Sequence, residues 1–122
     1  MRNWITGLIC VMIFSCSAPK EDMLVGNWQA VDLAEAGMPV EADIEVVQFH
    51  FDKNNQYQYH GTLNYEEAGT YSVESRYLFT IDTLNNATTE KAVEIMQLTE
   101  DSLFIKMNDS GKERIMKLVK VK

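Results

Sequence analysis

The chain has few cysteines, few prolines and no long apolar segment. Only two cysteines, Cys10 and Cys16, and two prolines occur among its 122 residues. Because both cysteines lie near the amino terminus, the rest of the chain has no disulfide and must be stabilised by its core. The longest apolar stretch, Trp4 to Phe14, has eleven residues, whereas a helix that spans a bilayer needs about 20. This stretch is therefore too short to cross a membrane.

Basic side chains are scarce as well. Eighteen aspartates and glutamates outnumber eleven lysines and arginines, which gives a formal net charge of −7. A surface of this sign repels nucleic acid phosphates and anionic lipid head groups. We therefore expect no nucleic acid partner.

The sequence also lacks the patterns of common catalytic sites. It contains no Gly-x-Ser-x-Gly, no Walker loop, no dinucleotide-binding fingerprint and no His-Glu-x-x-His. The acidic pair Glu66-Glu67 precedes a predicted strand and is expected to be a solvated hairpin tip. His50 and His60 are weak metal candidates, because a metal site needs at least a third ligand. We expect no catalytic residue, no cofactor and no metal, and hence a protein that is not an enzyme.

The first sixteen residues are organised like an export signal. Arg2 supplies a positive charge, the apolar stretch follows, and Ile13-Phe14-Ser15-Cys16 ends the segment. This arrangement resembles the signal peptide and lipobox of bacterial lipoproteins, although Phe14 is bulkier than the usual residue there. The resemblance implies that residues 1–15 are cleaved and that Cys16 is the lipid attachment site. The alternative is an ordinary secretory signal that is cleaved a few residues later.

Residues 16–22 form a short polar segment, which we interpret as a tether between lipid and domain. It ends in Lys20-Glu21-Asp22, which resembles the surface-export signal of Bacteroidota lipoproteins. The resemblance implies a cell-envelope protein that is lipid-anchored to the outer membrane, on its periplasmic face or at the cell surface. Cleavage would remove a single base, Arg2, and change the formal charge from −7 to −8.

Residues 23–122 read as one domain built from about eight short strands. Most of the apolar runs alternate with period two, and turn residues separate them. Consecutive hairpins without a helical crossover favour an all-β fold, a single antiparallel up-and-down β-barrel. The one longer break, Ala34 to Asp43, could form a single helical turn before Pro39 and act as a lid or rim element, or be a plain surface loop. Three methionines, Met96, Met107 and Met116, are expected in the core.

One predicted hairpin has a polar side and an aromatic side. If its turn is centred on Asn54, His50 faces Gln58 and Gln48 faces His60 on one side of the strand pair. The other side then carries only aromatic residues, and a barrel turns its apolar side inward. The aromatic residues are Phe49, Phe51, Tyr57 and Tyr59.

Several pieces of the domain resemble the lipocalin-like lipoprotein domains of Bacteroidota. In order along the chain they are Gly26-Asn27-Trp28, Phe49-His50-Phe51-Asp52, Gly69-Thr70-Tyr71 and Leu98-Thr99-Glu100-Asp101-Ser102-Leu103. The resemblance implies that Gly26 and Trp28 close one barrel end and that a cationic side chain of the last strand lies across Trp28. Since the last strand would be antiparallel to the first, that side chain is Lys117 or Lys120 rather than Arg114.

The expected function is the binding of a small hydrophobic or amphipathic ligand inside the barrel. The alternative is a filled barrel that acts as a protein-protein interaction module of the envelope, for which the sequence names no partner. The volume of the barrel interior distinguishes these two functions, because a drug-sized ligand needs a cavity of at least roughly 300 Å³. The expected lining residues are Phe49, Phe51, Tyr57, Tyr59 and Tyr71.

Overall fold

A computed structural model describes residues 20–121 except residues 42, 88 and 110. The predicted signal peptide and lipid attachment site, with Cys10 and Cys16, lie outside the described residues, as does most of the tether. Among the described residues, no helix has the length and apolar character needed to span a bilayer.

Nine strands make up most of the described part of the chain. Strands β3 to β9 pair consecutively and antiparallel, and β1 pairs with both β3 and β9. This pairing closes a barrel of eight strands, so the predicted up-and-down barrel is confirmed. The additional strand, β2, pairs with the end of β1. The strands are β1 (Gly26–Glu35), β2 (Met38–Pro39), β3 (Gln48–Phe51), β4 (Gln56–His60), β5 (Glu66–Glu74), β6 (Tyr77–Asp82), β7 (Lys91–Leu98), β8 (Ser102–Asp109) and β9 (Lys112–Val121), and the short 3-10 helices are Glu21–Leu24, Ile44–Val46 and Thr62–Asn64.

The helical turn predicted before Pro39 is wrong. Strand β1 continues to Glu35, the chain reverses at Ala36 and Gly37, and β2 pairs back onto β1. Both turn residues have positive φ angles, 52° and 82°, which is the backbone geometry of a tight two-residue hairpin turn. Pro39 is tolerated because β2 is a short edge strand.

The predicted register of the aromatic hairpin is confirmed. His50 pairs with Gln58, and Gln48 pairs with His60. On the opposite face Phe51 and Tyr57 are buried, while Phe49 and Tyr59 are half-buried against the core. The aromatic side therefore faces the barrel interior, because burial of these rings removes the largest apolar area of the hairpin from water.

The methionine prediction holds for two of three residues. Met116 is buried and Met107 packs against the core, but Met96 is 45% exposed. Ile95 points inward and is 1% exposed, so Met96, its neighbour in the strand, points to solvent. A bulge between Ile95 and Gln97 returns Leu98 to the interior.

One end of the barrel is closed by its first strand and the helix that precedes it. Trp28 and Leu24 are fully buried, and Trp28 Nε1 donates to the Leu24 carbonyl oxygen at 2.8 Å. Lys120 Nζ lies 5.0 Å from the centroid of the Trp28 ring and donates to the Met23 carbonyl oxygen. A side chain at Gly26 would place its Cβ 3.2 Å from Lys120 Cε, so Gly26 leaves room for this lysine.

The two other basic residues considered for this contact, Lys117 and Arg114, lie elsewhere on the last strand. Lys117 Nζ is 5.1 Å from the ring centroid of Phe104. Arg114 is near the start of β9, at the opposite end of the barrel, where its Nε donates to Glu35. The cation that crosses Trp28 is therefore Lys120.

Candidate ligand-binding site

The barrel interior contains a cavity of about 590 Å³, at the end away from Trp28. Its walls come from strands β3 to β9 and from Tyr65, which precedes β5, and it opens where β1 ends and β9 begins. We call this opening the mouth. The apolar part of the wall consists of Leu78, Val93, Ile105, Met107 and Met116.

Three of the five residues expected to line the interior do line this cavity, namely Phe49, Tyr57 and Tyr59. Phe51 and Tyr71 are buried nearer the closed end, with ring centroids 4.9 Å apart in an edge-to-face arrangement. Strand β3 runs toward the closed end, where Phe51 pairs with Gly26. All five side chains face inward, but their different heights along the barrel divide them between the cavity wall and the closed end.

The polar part of the cavity wall includes a buried carboxylate, Glu67. Its side chain is 8% exposed. Tyr57 donates its hydroxyl to Glu67 Oε1 at 2.8 Å, Tyr65 donates to Oε2 at 2.6 Å, and Lys91 Nζ donates to Oε2 as well. The expectation that Glu66-Glu67 forms a solvated hairpin tip is therefore wrong for Glu67, which is the inward-facing second residue of β5.

These contacts determine the ionisation of the cluster. Burial alone would raise the pKa of Glu67, but the hydrogen bonds from Lys91, Tyr65 and Tyr57 outweigh it and hold the pKa below its usual value. Burial and the bond to Glu67 raise the pKa of Tyr57 well above its usual value. The hydrogen bond from Tyr65 to Glu67 raises the pKa of Tyr65 to about 12. At neutral pH Glu67 is therefore a carboxylate that accepts hydrogen bonds from two neutral phenols and from Lys91.

Glu67 should make the protein sensitive to acid. Since its pKa is lowered on folding, the stabilisation is present above the unfolded value of 4.5 and is lost as pH falls through the folded value. One such group changes the unfolding free energy by at most about 1.4 kcal/mol per pH unit. We expect Glu67→Gln to flatten the acid limb of the unfolding free energy, measured by urea titration from neutral to acidic pH. Glu66→Gln, at the exposed neighbouring position, is the control, and an equal flattening in both variants would contradict the assignment.

The polar side of the aromatic hairpin borders a second pocket, a groove whose lining shares Phe49, Tyr59 and Glu67 with the cavity. This groove has a volume of about 840 Å³, and Asn27, Gln48, Gln58 and Glu66 are among its polar residues. His50 Nδ1 is 2.6 Å from Asn27 Oδ1, and His60 Nδ1 is 3.5 Å from Glu66 Oε2. Both histidines thus have partners on the sheet. Within residues 20–121, apart from the three gaps, no three His, Cys, Asp or Glu side chains come together as metal ligands.

Comparisons with known proteins agree with this architecture. A closed antiparallel barrel of eight strands around an interior cavity defines a class of β-barrels that typically bind small ligands. The family model described as a lipocalin-like domain matches residues 24–105. The chain therefore belongs to the lipocalin-like domain family. A comparison with curated protein sequences found no match.

Two solved structures show the same fold. A lipocalin-like protein from Bacteroides uniformis ATCC 8492 is 16% identical, with a TM-score of 0.58, over 78% of this chain and 97% of that one. An uncharacterized protein from Bacteroides eggerthii DSM 20697 is 13% identical, with a TM-score of 0.55, over 77% and 98% of the two chains. At such identities the similarity concerns the fold alone.

Proposed function

We propose that this protein is a lipid-anchored lipoprotein of the cell envelope that binds a small hydrophobic or amphipathic molecule inside its barrel, without catalysis. The observation that carries this proposal is the cavity of about 590 Å³. It is larger than the roughly 300 Å³ below which a drug-sized ligand does not fit. A filled barrel, as the alternative function requires, would leave no such space.

The cavity wall suits a molecule with an apolar body and a polar group. Aliphatic and thioether side chains line one part of it, whereas Glu67, Thr80 and Lys91 line another. Burial of a ligand's apolar surface contributes about 25 cal/mol per Å². The flexible thioethers of Met107 and Met116 can adjust to its shape.

Filling the cavity should abolish binding. Val93 is half-buried in the cavity wall, and in Val93→Trp the indole would occupy the space of a ligand. We expect the affinity for Nile red, a neutral apolar dye, to fall about tenfold or more in a fluorescence titration, a difference of about 1.4 kcal/mol. Met96→Trp adds the same ring on the exposed side of the same strand and should leave the affinity unchanged. Undiminished binding by Val93→Trp would mean that the dye binds outside the barrel.

The described start of the chain bears on how an anchored barrel would be oriented. Glu21 Oε2 accepts a hydrogen bond from the backbone N–H of Val73 at 3.0 Å, and Leu24 is buried beneath Trp28. The chain thus enters the barrel at its closed end. Five residues from Cys16 to Glu21 reach at most about 18 Å. A lipid at Cys16 would hold the closed end near the membrane and leave the mouth facing the aqueous side.

The anchor itself is tested by replacing its cysteine. We expect Cys16→Ala to move the protein from the membrane fraction to the soluble fraction, because acyl chains provide the membrane affinity. Its circular dichroism and unfolding midpoint should match those of the wild-type barrel, since Cys16 precedes all described elements. Cys10→Ala is the matched control and should stay with the membrane. Membrane retention of Cys16→Ala would exclude this residue as the attachment site.

A further inference from the structure

The buried carboxylate of the cavity already holds a positively charged group. Lys91 Nζ donates to Glu67 Oε2 inside the cavity wall. The two side chains differ in burial, since Glu67 is 8% exposed and Lys91 is 54% exposed. The carboxylate is therefore fixed in the wall, while the ammonium group reaches it from the mouth on a long, half-exposed stem.

Aromatic side chains surround this carboxylate. Tyr57 and Tyr65 donate their hydroxyls to it. Tyr59 packs next to Tyr65, with ring centroids 6.1 Å apart, and next to Phe49, with centroids 4.7 Å apart. All four rings line the same cavity. Aromatic rings stabilise an adjacent ammonium group through their negative faces, most strongly where water is excluded.

The charge of the molecule also favours a cation at this site. The chain carries a formal net charge of −7, which raises the local concentration of cationic solutes and lowers that of anionic ones. Among the described residues, the basic side chains that line the cavity are paired with acids, Lys91 with Glu67 and Arg114 with Glu35. An anionic head group would have to compete with these carboxylates, whereas a cationic one can replace a lysine.

We propose that the cavity binds amphiphiles with a primary ammonium head group, which takes the place of the Lys91 ammonium on Glu67 while the apolar tail lies against Leu78, Val93 and Ile105. This inference rests on the proposed ligand-binding function and adds the charge of the ligand. Lys91 then acts as an internal competitor. It neutralises Glu67 in the empty barrel and swings out through the mouth when a ligand enters. No covalent bond is made or broken in the exchange.

The test compares amphiphiles that share a tail and differ in the head group. The chain from Ser17 onward retains every described residue and lacks only the signal peptide and the lipidated cysteine. Dodecylamine, dodecanol and dodecanoate are titrated below their micellar concentrations, near neutral pH, by displacement of Nile red. We expect dodecylamine to bind about tenfold more tightly than the other two, because its ammonium group would lie among the cavity's aromatic rings in an acidic protein, while the displaced Lys91 ammonium regains water.

Two variants should change the affinity for the amine in opposite directions. Glu67→Gln keeps the shape of the side chain but removes its charge, and should reduce amine binding to the level of dodecanol. Lys91→Met keeps the stem but removes the competing ammonium, and should tighten amine binding about tenfold relative to dodecanol binding. If Glu67→Gln does not fold, the Lys91→Met result decides alone.

The opposite results would overturn the inference. Preference for dodecanoate, with weaker binding in Lys91→Met, would assign the head group site to an anion. Equal affinities for all three compounds would leave the proposed apolar binding intact and remove the ammonium site. If neither Nile red nor any of the three amphiphiles bound, the proposed ligand-binding function itself would be wrong. The failure of the ammonium site and the failure of ligand binding can therefore be told apart.

Discussion

Replacing Gly69 with alanine is expected to lower the unfolding free energy by about 3 kcal/mol or more. A Cβ atom at this position would lie 1.8 Å from the Ile81 carbonyl oxygen and 2.9 Å from the Thr83 nitrogen. Both of these atoms belong to the backbone, so no side-chain rotation relieves the overlap. The end of β6 crosses directly over Gly69, because the N–H groups of Thr83 and Leu84 both donate to the Ala68 carbonyl oxygen.

Urea unfolding monitored by circular dichroism measures this effect, and Gly37→Ala provides the control. Gly37 has a φ angle of +82°, and apart from its two chain neighbours no described residue has an atom within 4 Å of the place that a Cβ would take. Alanine there meets only the cost of a left-handed backbone, which is about 1 kcal/mol. If both variants lost the same free energy, the close approach of β6 would not be the reason for glycine at position 69.

Replacing Trp28 with alanine is expected to cost about 3 to 5 kcal/mol, as for other large core aromatic residues. Trp28 is fully buried and packs at the closed end of the barrel, where its indole N–H also satisfies the Leu24 carbonyl oxygen. Truncation would leave a void and an unpaired buried acceptor. It would also remove the ring over which Lys120 lies.

Two further variants separate these contributions by urea unfolding. Trp28→Phe retains an apolar ring but loses the N–H donor, and should cost less than Trp28→Ala. Lys120→Met retains the stem near Gly26 but loses the charge over the ring and the bond to Met23, and should cost about 1 kcal/mol. We expect the closed end to depend on the indole first and on the lysine second. A loss in Lys120→Met as large as that in Trp28→Ala would reverse this order.

The barrel and the aromatic hairpin could be predicted because their signals are local. Each strand of the hairpin alternates between aromatic and polar residues, and the Asp52 to Asn55 turn sets which residues face each other. The predicted pairing of His50 with Gln58 depends only on the sequence between them. By contrast, the turn at Ala36 and Gly37 was not predicted, because alanine rarely adopts a positive φ angle.

The contact of Glu67 with Lys91 in the cavity was not predicted, although the alternation of inward and outward residues in the two strands indicates part of it. Counting back by twos from the inward-facing Tyr71 places Gly69 and Glu67 on the inner side of β5, and the same counting from Ile95 places Lys91 on the inner side of β7. Two adjacent glutamates instead suggested a solvated turn. The contact between Glu67 and Lys91 joins residues 24 positions apart on strands that are not neighbours in the sheet, so alternation within either strand cannot predict it.

The sequence by itself determined the up-and-down order of the barrel strands and the inward side of the aromatic hairpin, because these properties depend on a two-residue period and on short turns. Only the tertiary structure decided the height of each inward side chain along the barrel. That height placed Phe51 and Tyr71 at the closed end, left a cavity next to Phe49, Tyr57 and Tyr59, and brought Lys91 onto Glu67. The reason is physical: closure of β1 onto β9 sets the stagger of all eight strands together, and no local stretch of sequence encodes it.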